Sequence, residues 1–448
     1  MRVSAKCIIF ACDMEEFYQL AWKHRLFGAP DCRLCDGRPL RIITPGVLNT
    51  GAGPDFSHAR LNIDGQMWCG NVEIHVRASD WLRHGHQDDP AYHTVLLHVV
   101  GVDDTRITRP DGSEIPQLQV TLPEGVEDTL RMLRGRMPAA ICQRYIRALD
   151  RSAVAAWIER MGVERLQSKA QRVADIYRWA GGDWQQTLFV ILARAMGFGS
   201  NADPMEMLGR SLPLNFAGRH ADNRTQIEAM LFGQAALLNP LLLLNDEYYQ
   251  YLCREYRFLA VKYNLHPLKG AIWKFGGSRP QNAPHRRIAL LAKALEGGFS
   301  MMSQILDCKG DLEKLSQLLD ISLDGYWAHH YNFGAYTGTV PKILSKNSIH
   351  LLVINAVVPF LYCYGAMTGD YRLQEQATDL LEAIPAERNS IVRSWMVPEL
   401  TPDCAFRSQA LLHLRREYCD RERCLECGFA HEFLRLSVKN ARRQSIPS

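Results

Sequence analysis

Hydrophobic and polar positions change their spacing several times in the first quarter of the chain, and each change marks a new element. Apolar residues spaced for one face of a helix predict an amphipathic helix over residues 14–27. Four strand patterns follow, at residues 40–43, 59–63, 67–76 and 94–100. The polar stretch 79–92 predicts a short helix before the last of these strands. We therefore expect an α-β-β-β-α-β domain over residues 1–125.

Beyond about residue 138, apolar positions recur with helical periodicity and strand-like alternation is scarce. The predicted helices cover residues 152–180, 184–197, 225–239, 246–263, 285–298, 301–320, 348–367, 371–383 and 405–418. This pattern predicts a large all-helical domain over residues 140–448, with the boundary between 122 and 145. The fold class is then α+β, mostly α.

Composition is that of an ordinary globular protein and narrows the functional classes only a little. The 448 residues are 47% hydrophobic and 22% charged, so they can build a sizeable core. A formal net charge of +4 does not by itself indicate a nucleic-acid partner. His350, Asn355 and Pro359 interrupt the longest apolar stretch, residues 349–367, which favours a buried helix over a membrane span.

An acidic pattern with metal-binding character lies on two of the predicted strands. Asp55 follows Gly53-Pro54 at the head of one strand, and Glu73 and His75 lie two residues apart on the next. Strand side chains alternate, so Glu73 and His75 point to one face, where a hairpin can bring Asp55 beside them. Two carboxylates and a third polar group suit Mg²⁺ or Mn²⁺. The alternative is a capped turn beside an exposed cross-strand pair.

This pattern, in the order α-β-β-β-α-β, resembles the PD-(D/E)XK nuclease superfamily, whose fold is restriction-endonuclease-like. Pro54-Asp55 matches the first motif and Glu73 the second acid, while His75 stands where the superfamily has lysine. The resemblance implies that Asp55 and Glu73 hold Mg²⁺ or Mn²⁺, joined by the Ile74 carbonyl. An acid of the first helix, Glu15 or Glu16, would be a further ligand.

The implied reaction is hydrolysis of a phosphodiester in nucleic acid. In that reaction His75 would orient or deprotonate the attacking water. Arg77, His84 and His86 would bind the substrate phosphate. The change from lysine to histidine removes a fixed charge, so the chain is expected to be either a nuclease or a degenerate relative of one.

A second pattern is the density of histidines near this site, which are His75, His84, His86, His93 and His98. A His-x-His pair with carboxylates nearby can bind Zn²⁺, Mn²⁺ or Fe²⁺. The alternative function is therefore a histidine-metal hydrolase acting on a small molecule. The structural alternatives are a solvated loop at His84 and His86, and a core position for His98.

The cysteines form the sharpest spacing in the chain, Cys419-x4-Cys424-x2-Cys427. No signal-peptide pattern follows Met1, so we expect a cytoplasmic protein whose 13 cysteines are reduced and whose clusters bind metal. Cys404 or His431 would be the fourth ligand of a zinc site or an iron–sulfur cluster. Free buried thiols are the alternative. A weaker pair, Cys32-x2-Cys35, would need two more ligands.

Two other segments favour structural roles. Arg279-Pro280-x-Asn282-x-Pro284, followed by Arg286 and Arg287, predicts a proline-rich helix start, with anion binding as the alternative. The aromatic cluster over residues 326–334 favours interior packing over base stacking.

Over nearly its full length the chain resembles a bacterial family of uncharacterised proteins, domain of unknown function 2851. The matching segments are 53–56, 70–75, 79–81, 84–86, 97–100, 232–235, 273–275, 279–280, 418–419, Cys424 and Cys427. The resemblance implies no activity. Besides the two hydrolases, a non-catalytic scaffold that binds nucleic acid or protein is therefore a further hypothesis.

Overall fold

The computed structural model describes residues 5–27, 31–49, 51–122, 128–129, 132–133, 139–239, 245–269, 273–275, 283–340, 344–395 and 397–444. The chain is an α+β protein that divides into two compact units. The sheet unit comprises residues 1–157, 397–399 and 414–448, and the helical unit comprises residues 158–396 and 400–413. The part of the predicted helix start at residues 279–282 lies outside the described residues.

The sheet unit begins with helix α1, Ala5–His24, and carries a seven-stranded sheet. The strands are β1 (Asp31–Arg33), β2 (Pro39–Thr44), β3 (Val47–Leu48), β4 (Phe56–Ile63), β5 (Gln66–Arg77), β6 (Val95–Val102) and β7 (Gln117–Gln119). A short helix, α2 (Asp80–Arg83), lies between β5 and β6. The predicted order of helix, three strands, helix and strand is therefore present, with β1, β3 and β7 in addition.

The sheet is mixed, with the order β1-β2-β4-β5-β6-β7 and β3 beside β4. Strands β2, β4 and β5 pair in antiparallel fashion, and Asp64-Gly65 makes the tight turn between β4 and β5. Strand β6 is parallel to β5, in a register that places His98 opposite Glu73. Parallel neighbours need a connection that leaves the sheet and returns, and residues 78–94 provide it. We call this segment the crossover.

Helix α1 packs against β5 and fixes one end of the sheet. The indole Nε1 of Trp22 donates a hydrogen bond of 2.9 Å to the Pro45 carbonyl. Tyr18 lies so close to Gly101 that a Cβ there would be 2.4 Å from the tyrosine oxygen. Only glycine permits this approach, which brings the polar side of α1 toward the centre of the sheet.

The end of the chain also belongs to the sheet unit, whereas the sequence pattern placed all of residues 140–448 in one helical domain. Three elements are involved: helix α3 (Ala139–Ile146), a π turn at Leu414–Cys419 and the last helix, Gly428–Gln444. Tyr145 packs on Phe433 with ring centroids 5.4 Å apart, and Trp157 packs on Tyr418 at 5.5 Å. Sequence periodicity could not reveal this division because it depends on contacts between distant segments.

The boundary between the units falls inside the long helix α4, Arg151–Trp179. The helical unit then continues with α5 (Trp184–Met196), α6 (Ala202–Ser211), α7 (Leu214–Gly218), α8 (Arg224–Gln234), α9 (Glu247–Tyr263), α10 (Pro284–Leu295), α11 (Met301–Asp307), α12 (Leu312–Leu319), α13 (Lys346–Leu352), α14 (Val358–Thr368), α15 (Tyr371–Ala383), α16 (Ser390–Ser394) and α17 (Ala405–His413). The last helix of the chain, Gly428–Gln444, is α18. One apolar core runs through the helical unit, and most residues of α5, α8 and α10 are buried in it.

Each predicted helix has a counterpart, but the segment 301–320 is two helices rather than one. Lys309 and Gly310 adopt positive φ angles of 50° and 76°, and Asp311 then caps the second helix. Helices α3, α6, α7, α16 and α18 have no predicted counterpart. Of the aromatic cluster, Trp327 packs inside the core, stacked on Phe232 at 5.3 Å, and Tyr326 and Phe333 pack against the core while partly buried.

The longest apolar segment forms a continuous helical stretch, residues 346–368, in which a π turn at Val353–Val357 joins α13 to α14. Among the described residues it is the one helix long and apolar enough to cross a membrane. Within it, 72% of the most apolar part is buried in the protein, as the prediction of a core helix requires. Pro359 follows the π turn, where its missing N–H is tolerated.

Candidate metal centre

The turn before β4 holds Asp55 at the edge of the sheet. Gly53 has a φ of 99°, which favours glycine, and Pro54 follows it. The Asn49 side-chain amide donates hydrogen bonds of 3.1 Å to the carbonyls of Ala52 and Pro54. The Gly-Pro-Asp sequence therefore forms an ordered turn whose last residue faces the next strand.

Asp55 and Glu73 are joined by reciprocal hydrogen bonds between β4 and β5. The Asp55 N–H donates to Glu73 Oε2 at 2.9 Å, and the Ile74 N–H donates to Asp55 Oδ2 at 3.0 Å. The other Asp55 oxygen, Oδ1, accepts from Gln19 Nε2 of α1 at 2.8 Å. The hairpin thus brings the two carboxylates together, as the sequence predicted.

Strand alternation places Glu73 and His75 on the same side of β5, with His75 Nε2 3.8 Å from Glu73 Oε1. Both residues are buried, at 4% and 0% exposure, so they are not the exposed pair of the alternative interpretation. His75 Nδ1 lies 2.8 Å from Nε2 of His98 on β6. His98 is fully buried as well, yet it contacts the site directly and is more than a core residue.

The crossover brings two more imidazoles to Glu73 and His75. Its start is fixed by carboxylates, because Asp80 accepts from the Arg77 N–H at 3.1 Å and Asp104 accepts from the Ser79 N–H at 2.9 Å. Gly85, with a φ of 75°, separates the two histidines of the crossover. The local sequence Ser79-Asp80 thus begins a short helix, and glycine ends it in the conformation that places His84 and His86 on one side.

The side chains of His75, His84 and His86 form a compact group, and Glu73 lies beside two of them. The ligand atoms of the three histidines lie within 4.8 Å of one another, and among the described residues this is the one such group of three or more. His75 Nε2 is 3.2 Å from His84 Nδ1, and His86 Nε2 is 3.4 Å from Glu73 Oε1. A tetrahedral zinc site with bonds of about 2.0–2.1 Å separates neighbouring ligand atoms by roughly 3.3 Å. The group therefore fits a metal of this size.

Aromatic side chains form one wall of this group. The buried Trp81 contacts His98 and His86 edge to face at 5.1 and 5.4 Å, and Tyr92 stacks on His86 at 3.7 Å. On the other side the group is open, because His84 is exposed and His86 is partly so. A ligand can therefore approach from the side of His84.

Three carboxylates that share this region have raised pKa values. Burial raises the pKa of Glu15 to about 7, and the charge of Asp55 adds to the effect. Burial also raises the pKa of Asp55, and burial together with the charge of Asp55 raises that of Glu73 further. Arg83, the guanidinium that acts on Glu15, is 60% exposed on its side chain and pairs with Asp80. A bound cation would relieve this accumulation of negative charge.

The imidazoles are shifted in the opposite direction. Burial lowers the pKa of His75 far below its usual value, and the neighbouring imidazoles add to the effect. Burial likewise lowers the pKa values of His86 and His98 to about 4. These rings are therefore neutral near pH 7, which is the state that binds metal and the wrong state for a fixed positive charge.

Some predicted residues lie elsewhere in the fold. The Arg77 guanidinium binds Asp104 at 3.2 Å and is largely exposed, so its partner is the carboxylate that starts the crossover. His93 is exposed and is not a member of the imidazole group. Of the two acids on α1, Glu15 is the one that interacts with this pair, because its charge raises the pKa of Glu73 and the charge of Asp55 raises its own pKa.

The cysteine cluster is only partly as predicted. Cys419, Cys424 and Cys427 lie in the sheet unit, whereas Cys404, a predicted fourth ligand, belongs to the helical unit. There its backbone pairs with that of Pro385 in an isolated antiparallel β-bridge. His431, the other predicted fourth ligand, uses Nε2 to bind the Leu425 carbonyl at 2.7 Å. The thiol that accompanies the other three is Cys142, which the sequence did not single out.

Sequence reasoning also missed Gln19, Tyr92 and Gln117. Gln117 on β7 lies in the strand beside His98, raises the pKa of that histidine against the effect of burial, and donates to Asp103 at 2.7 Å. No short motif marks these residues, because their roles come from strand order and from the packing of α1. Two features of the sequence could have indicated them. Polar and apolar residues alternate in β7, and Gln19 is a polar position on α1.

A model of one protein family matches residues 15–390, and the family is described as Protein of unknown function (DUF2851). The match covers most of the chain, so the protein belongs to this family. Neither a curated protein nor a solved structure gives a significant match.

Proposed function

We propose that this protein is a metal-dependent hydrolase of phosphodiesters, with nucleic acid as the substrate class. The proposal is carried by one observation, the compact group of three neutral imidazoles, with the buried Glu73 carboxylate 3.4 Å from His86 Nε2 and 3.8 Å from His75 Nε2. Three imidazole nitrogens with a carboxylate beside two of them, open to solvent at His84, match the donor set of a catalytic transition-metal site.

The donor set favours Zn²⁺, Mn²⁺ or Fe²⁺ over Mg²⁺. Magnesium prefers oxygen ligands in octahedral geometry, whereas imidazole nitrogen suits the transition metals. Glu73, His75, His84 and His86 would hold the ion. Asp55 already accepts a hydrogen bond on each carboxylate oxygen, so we assign it to positioning Glu73 and the Ile74 backbone. This differs from a pure Asp55–Glu73 site for Mg²⁺.

A bound ion would polarise a phosphoryl oxygen and make a water molecule more acidic at neutral pH. The protein's own groups supply the rest. His75 keeps its orientation through the contact of Nδ1 with His98, so it acts as a ligand rather than as a mobile base. Glu15, whose pKa is raised to about 7, is suited to accept and return a proton near the operating pH.

The choice of phosphodiesters depends on the topology. Three antiparallel strands followed by a crossover and a parallel strand, with Asp55 heading one strand and Glu73 on the next, is the arrangement that resembles the PD-(D/E)XK nucleases. The histidine in the lysine position is compensated in this proposal by His84 and His86. Small-molecule hydrolysis by the same centre is the second hypothesis. It is supported by the exposure of His84 and by the aromatic ring of Tyr92, which stacks on His86.

The test uses the full-length protein stripped of metal and reloaded with Mn²⁺, Zn²⁺ or Mg²⁺. Cleavage of labelled single-stranded DNA, duplex DNA and RNA is measured beside hydrolysis of an activated phosphodiester. We expect activity with Mn²⁺ or Zn²⁺ and loss of at least about 100-fold in His86→Ala and Glu73→Gln, since each removes a ligand. His93→Ala is the matched control, because this exposed histidine of the same segment is outside the group.

The outcomes separate the hypotheses. Metal binding with hydrolysis of the activated ester alone would favour the small-molecule hydrolase. Nucleic-acid binding that weakens steeply with salt, without turnover under any metal, would favour the non-catalytic scaffold. Equal activity in His86→Ala and the parent would contradict the proposed centre.

A further inference from the structure

A second cluster in the sheet unit contains four thiols from two distant parts of the chain. Cys142 lies on α3, Cys419 ends the π turn, and Cys424 and Cys427 flank the next turn. All four are free cysteines, and Cys427 is buried. Tyr145, one turn after Cys142 on α3, packs on Phe433 of α18, the helix that directly follows Cys427, so the packing of these two helices brings Cys142 toward the other three thiols.

The turn that carries two of these thiols has the local structure of a metal-binding knuckle. Cys424–Glu426 forms a single 3₁₀ turn, closed by a hydrogen bond of 3.1 Å from the Cys427 N–H to the Cys424 carbonyl. Gly428 follows, and a Cβ there would lie 2.4 Å from the Trp157 ring, so glycine lets the turn pack closely. The spacing Cys-x2-Cys with glycine next is thus used to direct two thiols to one side.

The helix that follows this turn prepares Cys427 to be a thiolate. Helix α18 begins at Gly428, and the N–H groups of Phe429 and Ala430 point to the Cys427 sulfur. Backbone N–H groups at a helix N-terminus favour a negative charge there.

The surrounding contacts hold the four segments in place without using the thiols. His431 Nε2 binds the Leu425 carbonyl inside the turn, and the His431 ring contacts the His24 ring at a tilt of 40°, with centroids 3.8 Å apart. The Arg423 N–H donates to the Tyr418 carbonyl at 2.8 Å and so closes the chain between Cys419 and Cys424. Packing of Tyr145 on Phe433 ties the helix of Cys142 to α18.

We propose that Cys142, Cys419, Cys424 and Cys427 form a tetrahedral four-thiolate site for Zn²⁺ that is structural and separate from the hydrolytic centre. No three of these four sulfurs lie within 4.8 Å of one another, so zinc would draw the thiols inward by side-chain rotation. The site joins α3 to the end of the chain and explains why a remote cysteine packs with the C-terminal ones. Four protein ligands leave no open position, which is the property of a structural site.

The experiment uses the full chain carrying His84→Ala and His86→Ala, so that zinc at the imidazole group does not contribute. Elemental analysis is expected to find one zinc per chain. The extended X-ray absorption fine structure at the zinc edge is expected to fit four sulfur ligands at about 2.3 Å. Cys142→Ser should lose the zinc, whereas Cys404→Ser, the matched control, should retain it. Because the hydrolytic ligands are already removed, failure here leaves the proposed function untouched.

A measurement on the unmodified chain guards against misfolding of the cysteine variant. With zinc bound, Cys142 should resist alkylation and become reactive after a chelator is added, while the exposed Cys69 should react equally in both states. Zinc retained by Cys142→Ser, or lost by Cys404→Ser, would overturn the assignment. Iron with the visible absorption of a cluster would overturn the choice of zinc, and a disulfide among the four in the isolated protein would overturn the metal site.

Discussion

The sheet unit and the helical unit both bury carboxylates, but they surround them differently. In the helical unit, Glu206 binds Arg172, Arg194 and Arg210 at 2.9–3.1 Å, and these arginines hold its pKa below the usual value against the effect of burial. In the sheet unit, Glu73 faces neutral imidazoles instead, and its pKa is raised. The first arrangement is complete without a ligand, whereas the second is the one at which we propose that a cation binds.

A third buried carboxylate refines the distinction. Glu228 of the helical unit is almost fully buried and has a raised pKa, as Glu73 has. Its oxygens nevertheless accept hydrogen bonds from Tyr248 and from Trp327 at 3.2 Å, and Arg224 lies at 3.4 Å. A raised pKa alone therefore does not identify a site. The charge of the neighbours does, because Glu228 has the Arg224 guanidinium beside it, whereas the charged groups that act on Glu73 are the carboxylates of Asp55 and Glu15.

The largest effect is expected from Glu228→Ala. The change leaves the Tyr248 hydroxyl and the Trp327 N–H without their acceptor in the core, which should cost about 2–4 kcal/mol of unfolding free energy. Urea unfolding followed by circular dichroism measures this loss. Glu228→Gln, which keeps an acceptor, should lose less. If Glu228→Ala also abolished metal binding at the imidazole group, the comparison between the two units would fail.

A smaller effect is expected from His98→Phe, which removes the partner of His75 Nδ1 and keeps a ring in the space. A residue that orients a metal-bound histidine typically contributes 10–100-fold, so metal affinity should fall by about that factor. Titration against a competing chelator measures it. His98→Gln, which retains an acceptor, should recover part of the loss, while His93→Phe should match the parent. Unchanged affinity in His98→Phe would assign His98 to packing alone.

The smallest effect is expected from Glu15→Gln in metal-free protein. The folded-state pKa of Glu15, about 7, lies above its ordinary value of 4.5, so its favourable contribution is present below pH 4.5 and is lost as the pH rises through 7. Glutamine mimics the protonated form. The variant should therefore gain on the order of 1 kcal/mol over the parent at pH 8, after discount for partial exposure, and almost nothing at pH 4.5.

Metal provides the control for this pH series. Saturating Mn²⁺ or Zn²⁺ should remove the advantage of Glu15→Gln at pH 8, because the cation stabilises the ionised carboxylate of the parent. An advantage that is equal at both pH values, or that persists with metal, would show that Glu15 does not share the charge environment of Asp55 and Glu73.

The sequence predicted the parts of the site that depend on local periodicity. Alternation on β5 placed Glu73 beside His75, and the Asp64-Gly65 turn brought Asp55 to them. His84 and His86 were harder to place because the path of the crossover depends on Asp80 and Asp104, which act through tertiary contacts. A solvated polar loop and a loop whose side chains could bind metal have similar compositions, so composition alone did not separate these two interpretations of the crossover.

The cysteines illustrate a different limit. Nearness along the chain favoured Cys404 as the companion of Cys419, but the two belong to different units. Cys142 lies in a separate part of the sequence and comes to the cluster because α3 and α18 pack through Tyr145 and Phe433. Spacing identifies ligands that share a turn, whereas a ligand from another element is fixed by topology.

The crossover between β5 and β6 has one more consequence, for how this family can change. The imidazoles of His84 and His86 lie on the crossover, the same segment that allows the parallel strands β5 and β6 to pair. The proposed hydrolysis could thus be lost by the exchange of a single imidazole, with the fold unchanged. Shortening the crossover would instead prevent β5 and β6 from pairing. Family members that have lost these histidines should therefore keep a crossover of the same length.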